Sequence, residues 1–155
     1  MKDKIIETWH INNRVNLILI DATSIEGLDC TLSKRGGRSV ALQFAHLHNI
    51  RLWRLKRDAK EFMRGQTEIN RDGKISKALL LMRFKESAEA FGGFIEKGIN
   101  NNGKVKGFRR GVVPMLGYMI SHEAHHRGSI VLTLKQCGYP IPKEIRDNIW
   151  AWNQI

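Results

Sequence analysis

Apolar residues recur at three- and four-residue spacings along most of this chain, the period of amphipathic helices rather than of strands. Between residues 3 and 22, Ile11, Val15, Ile18 and Ala22 form such a row, flanked by Ile5 and Trp9, and predict a first helix. Residues 26–37 carry Gly27, Gly36 and Gly37 among polar side chains, which predicts a loop, and Ser39 is placed to cap the element that follows. Residues 40–63 contain neither proline nor glycine. Within them Leu42, His46, Ile50 and Trp53 form one row and Phe44, His48, Leu52 and Leu55 another, so a long second helix is expected, ended by Gly65. Residues 75–99 repeat apolar positions at Leu81, Phe84, Ala88, Phe91 and Ile95 and predict a third helix, with Gly92 and Gly93 as a loosening point.

Residues 100–111 are rich in Asn, Gly and basic side chains and read as a loop. Pro114 then suits the first turn of a fourth helix running to Cys137, since a proline there lacks only an N–H that the helix would leave unpaired. Gly138 can take the left-handed cap conformation, and Pro140 and Pro142 stop the helix from resuming. Ile145, Ile149 and Trp152 predict a short fifth helix within residues 143–155. No strand pattern and no internal repeat competes. The expected class is all-α: a four-helix bundle with a short additional C-terminal helix, whose core is a common place to build metal sites from facing side chains.

A chain of 155 residues, 42% of them hydrophobic and including four Trp and six Phe, has the size and apolar content of one domain spanning residues 1–155. Cys30 and Cys137 lie far apart in the sequence; they suggest neither a disulfide framework nor a thiolate zinc site and are read as reduced thiols. The opening MKDKIIETWHINN mixes charges with apolar residues, unlike a signal peptide, and no apolar run approaches the length of a membrane span. A cytoplasmic protein without a membrane partner is the expectation.

The net charge of +11 is the one bulk property that points to a partner, because basic surfaces attract phosphates over long range. The basic residues are scattered, however: Lys34, Arg35 and Arg38 before the second helix, Arg51 to Arg64 along it, and Lys104 to Arg110 in the late loop. No nucleic-acid motif frames them, so they read as a solvated surface, and a nucleic-acid partner is disfavoured.

The chemistry concentrates in SHEAHHRG of the fourth helix. His122 and His126, four residues apart, project from one face a turn apart and can close on a single ion. Met115, Met119, Ser129 and Thr133 continue that face, and the stripe predicts that the two imidazoles look inward. The second helix adds FAHLHNIRLW, in which His46 and His48 diverge by roughly 160° at ~100° per residue, so only one can face the same ion. Ile50 and Trp53 favour the row of His46, while Phe44 and Leu52 argue nearly as well for His48; periodicity leaves both open. Three imidazoles from two helices would leave coordination positions free for water or substrate, the pattern of a reactive rather than a structural metal. Imidazole suits zinc, nickel or copper.

His122 to His126 also matches H-E-x-x-H, in which the glutamate of a metalloprotease acts as general base. The longer signature wants a glycine and a further histidine where this chain has Ser129 and Leu132, and Glu144 is the only nearby candidate for a third carboxylate ligand. With no sheet to support a peptide substrate, protease activity is disfavoured. Glu123 and His125 each lie roughly 80° off the midline of the histidine pair at ~100° per residue; these two and His10 read as solvated or packing side chains.

SVALQFAHLHNIRLW, followed downstream by HEAHHRGSI, resembles the DinB/YfiT superfamily of damage-inducible bundle proteins. The resemblance runs through nearly the whole chain: an opening helix, a histidine in the second helix, a polar crossover, and H-x-x-x-H-R-G in the fourth helix followed by a Gly-x-Pro exit. It implies His46 as the ligand from the second helix, joining His122 and His126. It implies one divalent transition ion per chain, zinc or nickel foremost, a homodimer, and a small-molecule substrate that includes low-molecular-weight thiols. Similar proteins include thiol transferases using bacillithiol, mycothiol or glutathione, and suspected hydrolases. Ser129 departs from the glutamine usual after the Arg-Gly pair. No acid or base outside the three histidines is identified. A metal-dependent transferase or hydrolase is thus the leading expectation, and a non-catalytic metal-binding or stress-response protein the alternative.

Overall fold

The computed structural model describes residues 1–33, 35 and 37–155; Lys34 and Gly36, assigned above to the basic surface and the early loop, lie outside the described residues. The elements are α1 (Lys2–Ala22), α2 (Ile25–Leu28), α3 (Val40–Asp58), a 3-10 turn (Lys60–Met63), α4 (Lys77–Asn100), α5 (Val112–Gln136) and α6 (Lys143–Asn148). The protein is all-helical among the described residues, apart from an isolated β-bridge between Val105 and Phe108. The four long helices α1, α3, α4 and α5 form a bundle. In it α1 lies along α4, α3 packs on α4 and α5, and α5 returns against α1. Among the described residues no helix is long and apolar enough to cross a membrane.

Local chemistry sets the boundaries. The Ser39 hydroxyl accepts the Leu42 N–H at 3.3 Å and that of Ser76 accepts the Leu79 N–H at 3.2 Å, so each satisfies one of the free donors of a helix start. At the end of α5, Gly138 adopts φ +85°, and the Tyr139 N–H closes on the Leu134 carbonyl at 2.9 Å, the left-handed exit predicted for it.

Three boundaries differ from the sequence pattern. The expected loop after α1 contains α2, because the Ser24 hydroxyl accepts the Gly27 N–H at 3.0 Å and starts one more turn. The second predicted helix stops at Asp58, not Met63: Ala59 leaves helical geometry at φ −153°, ψ 61° and is buried, and the chain tightens into the 3-10 turn. Asp58 is gripped there by Arg54 and Arg57. The last helix covers six residues, and the chain beyond it is in turns. Gly92 and Gly93, by contrast, do not loosen α4: they make room for His10 and Phe62, which crowd their bare Cα atoms.

The core forms two apolar clusters. One gathers Leu19, Phe44, Leu47, Phe84, Ile130 and Leu134; the other gathers Trp9, Leu52, Leu55, Phe91, Ile95 and Met119. Arg51 bridges them, its guanidinium 4.7 Å from the Trp9 ring centre and 4.8 Å from that of Phe84. It belongs to the core and not, as its sequence neighbours suggested, to the solvated basic surface.

Candidate metal centre

The two rows of α3 have the opposite roles to those that Ile50 and Trp53 suggested. Phe44, His48, Leu52 and Leu55 are wholly buried, whereas Trp53 is 50% exposed and His46 and Ile50 are half-buried. His48 is therefore the core histidine. Its Nε2 lies 2.9 Å from the Thr67 carbonyl oxygen, and burial pushes its pKa down to about 4 despite that hydrogen bond.

On α5 the core face runs through Met115, Leu116, Met119, Glu123, Ile130 and Leu134. His122 and His126 flank it at the rim, half-buried, rather than pointing to the bundle axis. The side of α3 that carries His46 meets them there. The ring centre of His46 lies 5.4 Å from that of His122 and 4.8 Å from that of His126, and His122 and His126 are themselves 4.8 Å apart.

One nitrogen from each of these three histidines falls within 4.8 Å of the others, a group that can hold a metal ion. His125 is exposed and outside the group, with its ring 5.4 Å from that of His126. His10 faces Glu89 at 3.7 Å on the other side of the bundle.

The electrostatics favour neutral imidazoles, the form that ligates. Burial, then Arg38, His126, His122 and Arg71, pushes His46 down to about 4, and burial followed by His122 and His125 does the same to His126. Burial also lowers His122. The Nδ1 of His122 is buried without a hydrogen-bond partner, as is that of the core residue His48.

Glu123, beside His122 in sequence, is turned wholly into the core. Its carboxylate accepts Arg51 Nε at 2.7 Å and Nη2 at 2.9 Å, Asn12 Nδ2 at 2.6 Å and Asn16 Nδ2 at 2.7 Å. Burial alone would raise its pKa, but Arg51 and Asn16 outweigh it and hold the group below the usual carboxylate range. Arg127 in turn donates to the side-chain oxygens of Asn12 and Asn16, both at 2.9 Å. Glu123 is thus unavailable as a general base, which removes the metalloprotease reading of H-E-x-x-H. The sequence pattern read it as a solvated or packing side chain; a carboxylate in phase with Leu116, Met119 and Ile130 was the signal of its burial, though not of its partner.

Tyr118 was also missed. Four residues before His122, it stacks on that ring at 6.3 Å between centres and 17° between planes, and the Arg54 guanidinium lies 5.8 Å from it. Cys30 and Cys137 are both free, yet tertiary folding makes them neighbours. Burial and a hydrogen bond with Cys137 push the Cys30 thiol up to about 11.

The family model described as the DinB family matches residues 1–151. No curated protein and no solved structure matches the chain.

Proposed function

We propose, from the premise that this chain belongs to the DinB family, that it binds one divalent transition ion through His46, His122 and His126 and acts as a metal-dependent transferase or hydrolase. The observation that carries the reading is the convergence of His46 with the helical pair, one nitrogen from each within 4.8 Å of the others. Three imidazoles favour zinc or nickel and leave open coordination positions. The ion, when bound, supplies the Lewis acidity that lowers the pKa of a thiol or a water molecule.

The chain's own residues position the histidines. Arg51 and Glu123 tie α3 to α5 beneath the site, which sets the facing of His46 and His122. Tyr118 lies beside the His122 ring, nearly parallel to it. Glu123 is committed to Arg51 and moves no proton at the three histidines. A nucleophile acidified by the ion, such as a low-molecular-weight thiol, needs no protein base. A homodimer in the cytoplasm, with the chain as a single domain, completes the proposal.

Elemental analysis of the purified, untagged protein by plasma mass spectrometry tests it, with the His122→Ala/His126→Ala variant as control. About one transition ion per chain, lost in the variant, is expected. No metal after reconstitution with zinc or nickel would overturn the reading. Turnover of thiol and ester substrates by the loaded protein then separates a catalyst from a non-catalytic metal carrier.

A further inference from the structure

A cavity of about 410 Å³ opens beside His126, between the chain following α2, the first turn of α3 and the outer side of α5. Besides His125 and His126, its polar lining is Arg38, Gln43 and the hydroxyls of Ser129, Thr133, Thr31 and Ser33, with no carboxylate among the described residues. The companion cavity on the other side of His46 has the opposite character, since Glu68 and Asp72 line it together with Arg71. Charge therefore divides the surroundings of the three histidines into a cationic and an acidic side.

Two side chains give the cationic side its character. Gln43, 7% exposed as a residue, presents its amide to the cavity. Arg38, exposed at the edge of the cavity, forms no ion pair among the described residues, whereas the buried Arg51 and Arg54 are paired with Glu123 and Asp58. Arg38 lies close enough to disfavour protonation of His46, His122 and His126 alike. A guanidinium, an amide and hydroxyls around one concavity match the oxygens of a carboxylate or phosphate.

We infer that this cavity is an oxyanion subsite: Arg38 and Gln43 bind a carboxylate or phosphate group of the substrate, setting its reacting end at the three histidines. The inference rests on the proposed function for the reacting end only, because the anion contacts belong to the chain itself.

Inorganic phosphate and, separately, succinate are titrated by calorimetry at constant ionic strength into metal-free and zinc-loaded protein, for the wild type, Arg38→Gln and Arg71→Gln. The two variants remove the same charge from opposite sides of His46. Saturable binding of at least one anion is expected with and without zinc, weakened about tenfold or more by Arg38→Gln, the loss of one charge-assisted contact, and within about twofold of wild type in Arg71→Gln. Phosphate preferred over succinate assigns a phosphoryl group, the reverse a carboxylate. Arg38→Gln is expected to retain metal in parallel elemental analysis, so failure of the metal reading leaves the anion result standing. No saturable binding of either anion, binding only in the zinc-loaded protein, or equal weakening by the two variants would overturn the inference.

Discussion

Arg51 and Glu123, 72 residues apart in the sequence, form a two-bonded ion pair with neither side chain exposed: Nε to Oε1 at 2.7 Å and Nη2 to Oε2 at 2.9 Å. Arg51 also donates through Nη1 to Asn13 Oδ1 at 2.8 Å, and the carboxylate accepts Asn12 and Asn16. The charges are thus compensated inside the fold, and they fix α3 against α5. His46 lies five residues before Arg51 and His122 is adjacent to Glu123, so the pair sets the two faces that carry the histidine cluster.

Glu123→Gln leaves the Arg51 guanidinium buried without its counter-charge. A loss of about 3–5 kcal/mol of stability is expected, read as the urea midpoint of the metal-free protein. Replacing both partners with apolar residues, as in Arg51→Met/Glu123→Leu, should recover part of that loss, because the Arg51 charge leaves with its partner while Arg127, 3.9 Å from Glu123, keeps its bonds to Asn12 and Asn16. A double variant as unstable as Glu123→Gln would show that the surrounding asparagines, rather than the pair, dominate.

His46→Ala and His48→Ala should separate ligand from core residue. The first is expected to lose bound metal with little change in the stability of the metal-free protein. The second should keep the metal and lose about 2 kcal/mol, from a buried ring and its hydrogen bond to Thr67. Elemental analysis together with urea unfolding distinguishes them, and metal retained by His46→Ala but lost by His48→Ala would reverse the assignment.

Stability of the metal-free protein should fall on acidification. His46, His48 and His126 have folded-state values of about 4 against an ordinary 6.5, burial being the leading cause for each. Between those two values the unfolded chain binds protons that the folded chain declines, so stability rises with pH across that window and levels off above it. Urea midpoints measured at several pH values from 4 to 8 test this. His48→Leu, which removes one of the three groups without touching the cluster, should give a shallower slope.

Gly107→Ala should strain the loop before α5. Gly107 has φ +74°, and a Cβ there would sit 2.1 Å from Asp58 Oδ1, in the contact where Arg54 and Arg57 hold that carboxylate. A cost of about 1–3 kcal/mol is expected, visible as a lower thermal midpoint. Gly103→Ala shares the left-handed backbone, φ +78°, but meets no atom within 4 Å, and it should cost less.

Four long helices were legible in 3.6-residue apolar periods, and two of their ends, at Ser39 and Gly138, in a side-chain cap and a left-handed exit; the Ser76 cap was not read. The sequence by itself also determined that His122 and His126 share a face, because a four-residue spacing does so on any α-helix. Periodicity left open which histidine of α3 meets them; the family resemblance implied His46, and it is the packing of the helices that brings His46 to the pair. That helix carries two apolar rows, and periodicity cannot say which one its neighbours cover. The bundle buries the row of His48 and leaves the row of His46 at the rim, where α5 presents its pair. The Arg51–Glu123 pair was beyond local reading for the same physical reason. A buried charge is tolerable only beside its partner, and the partner of Arg51 is brought to it by the packing of α3 on α5.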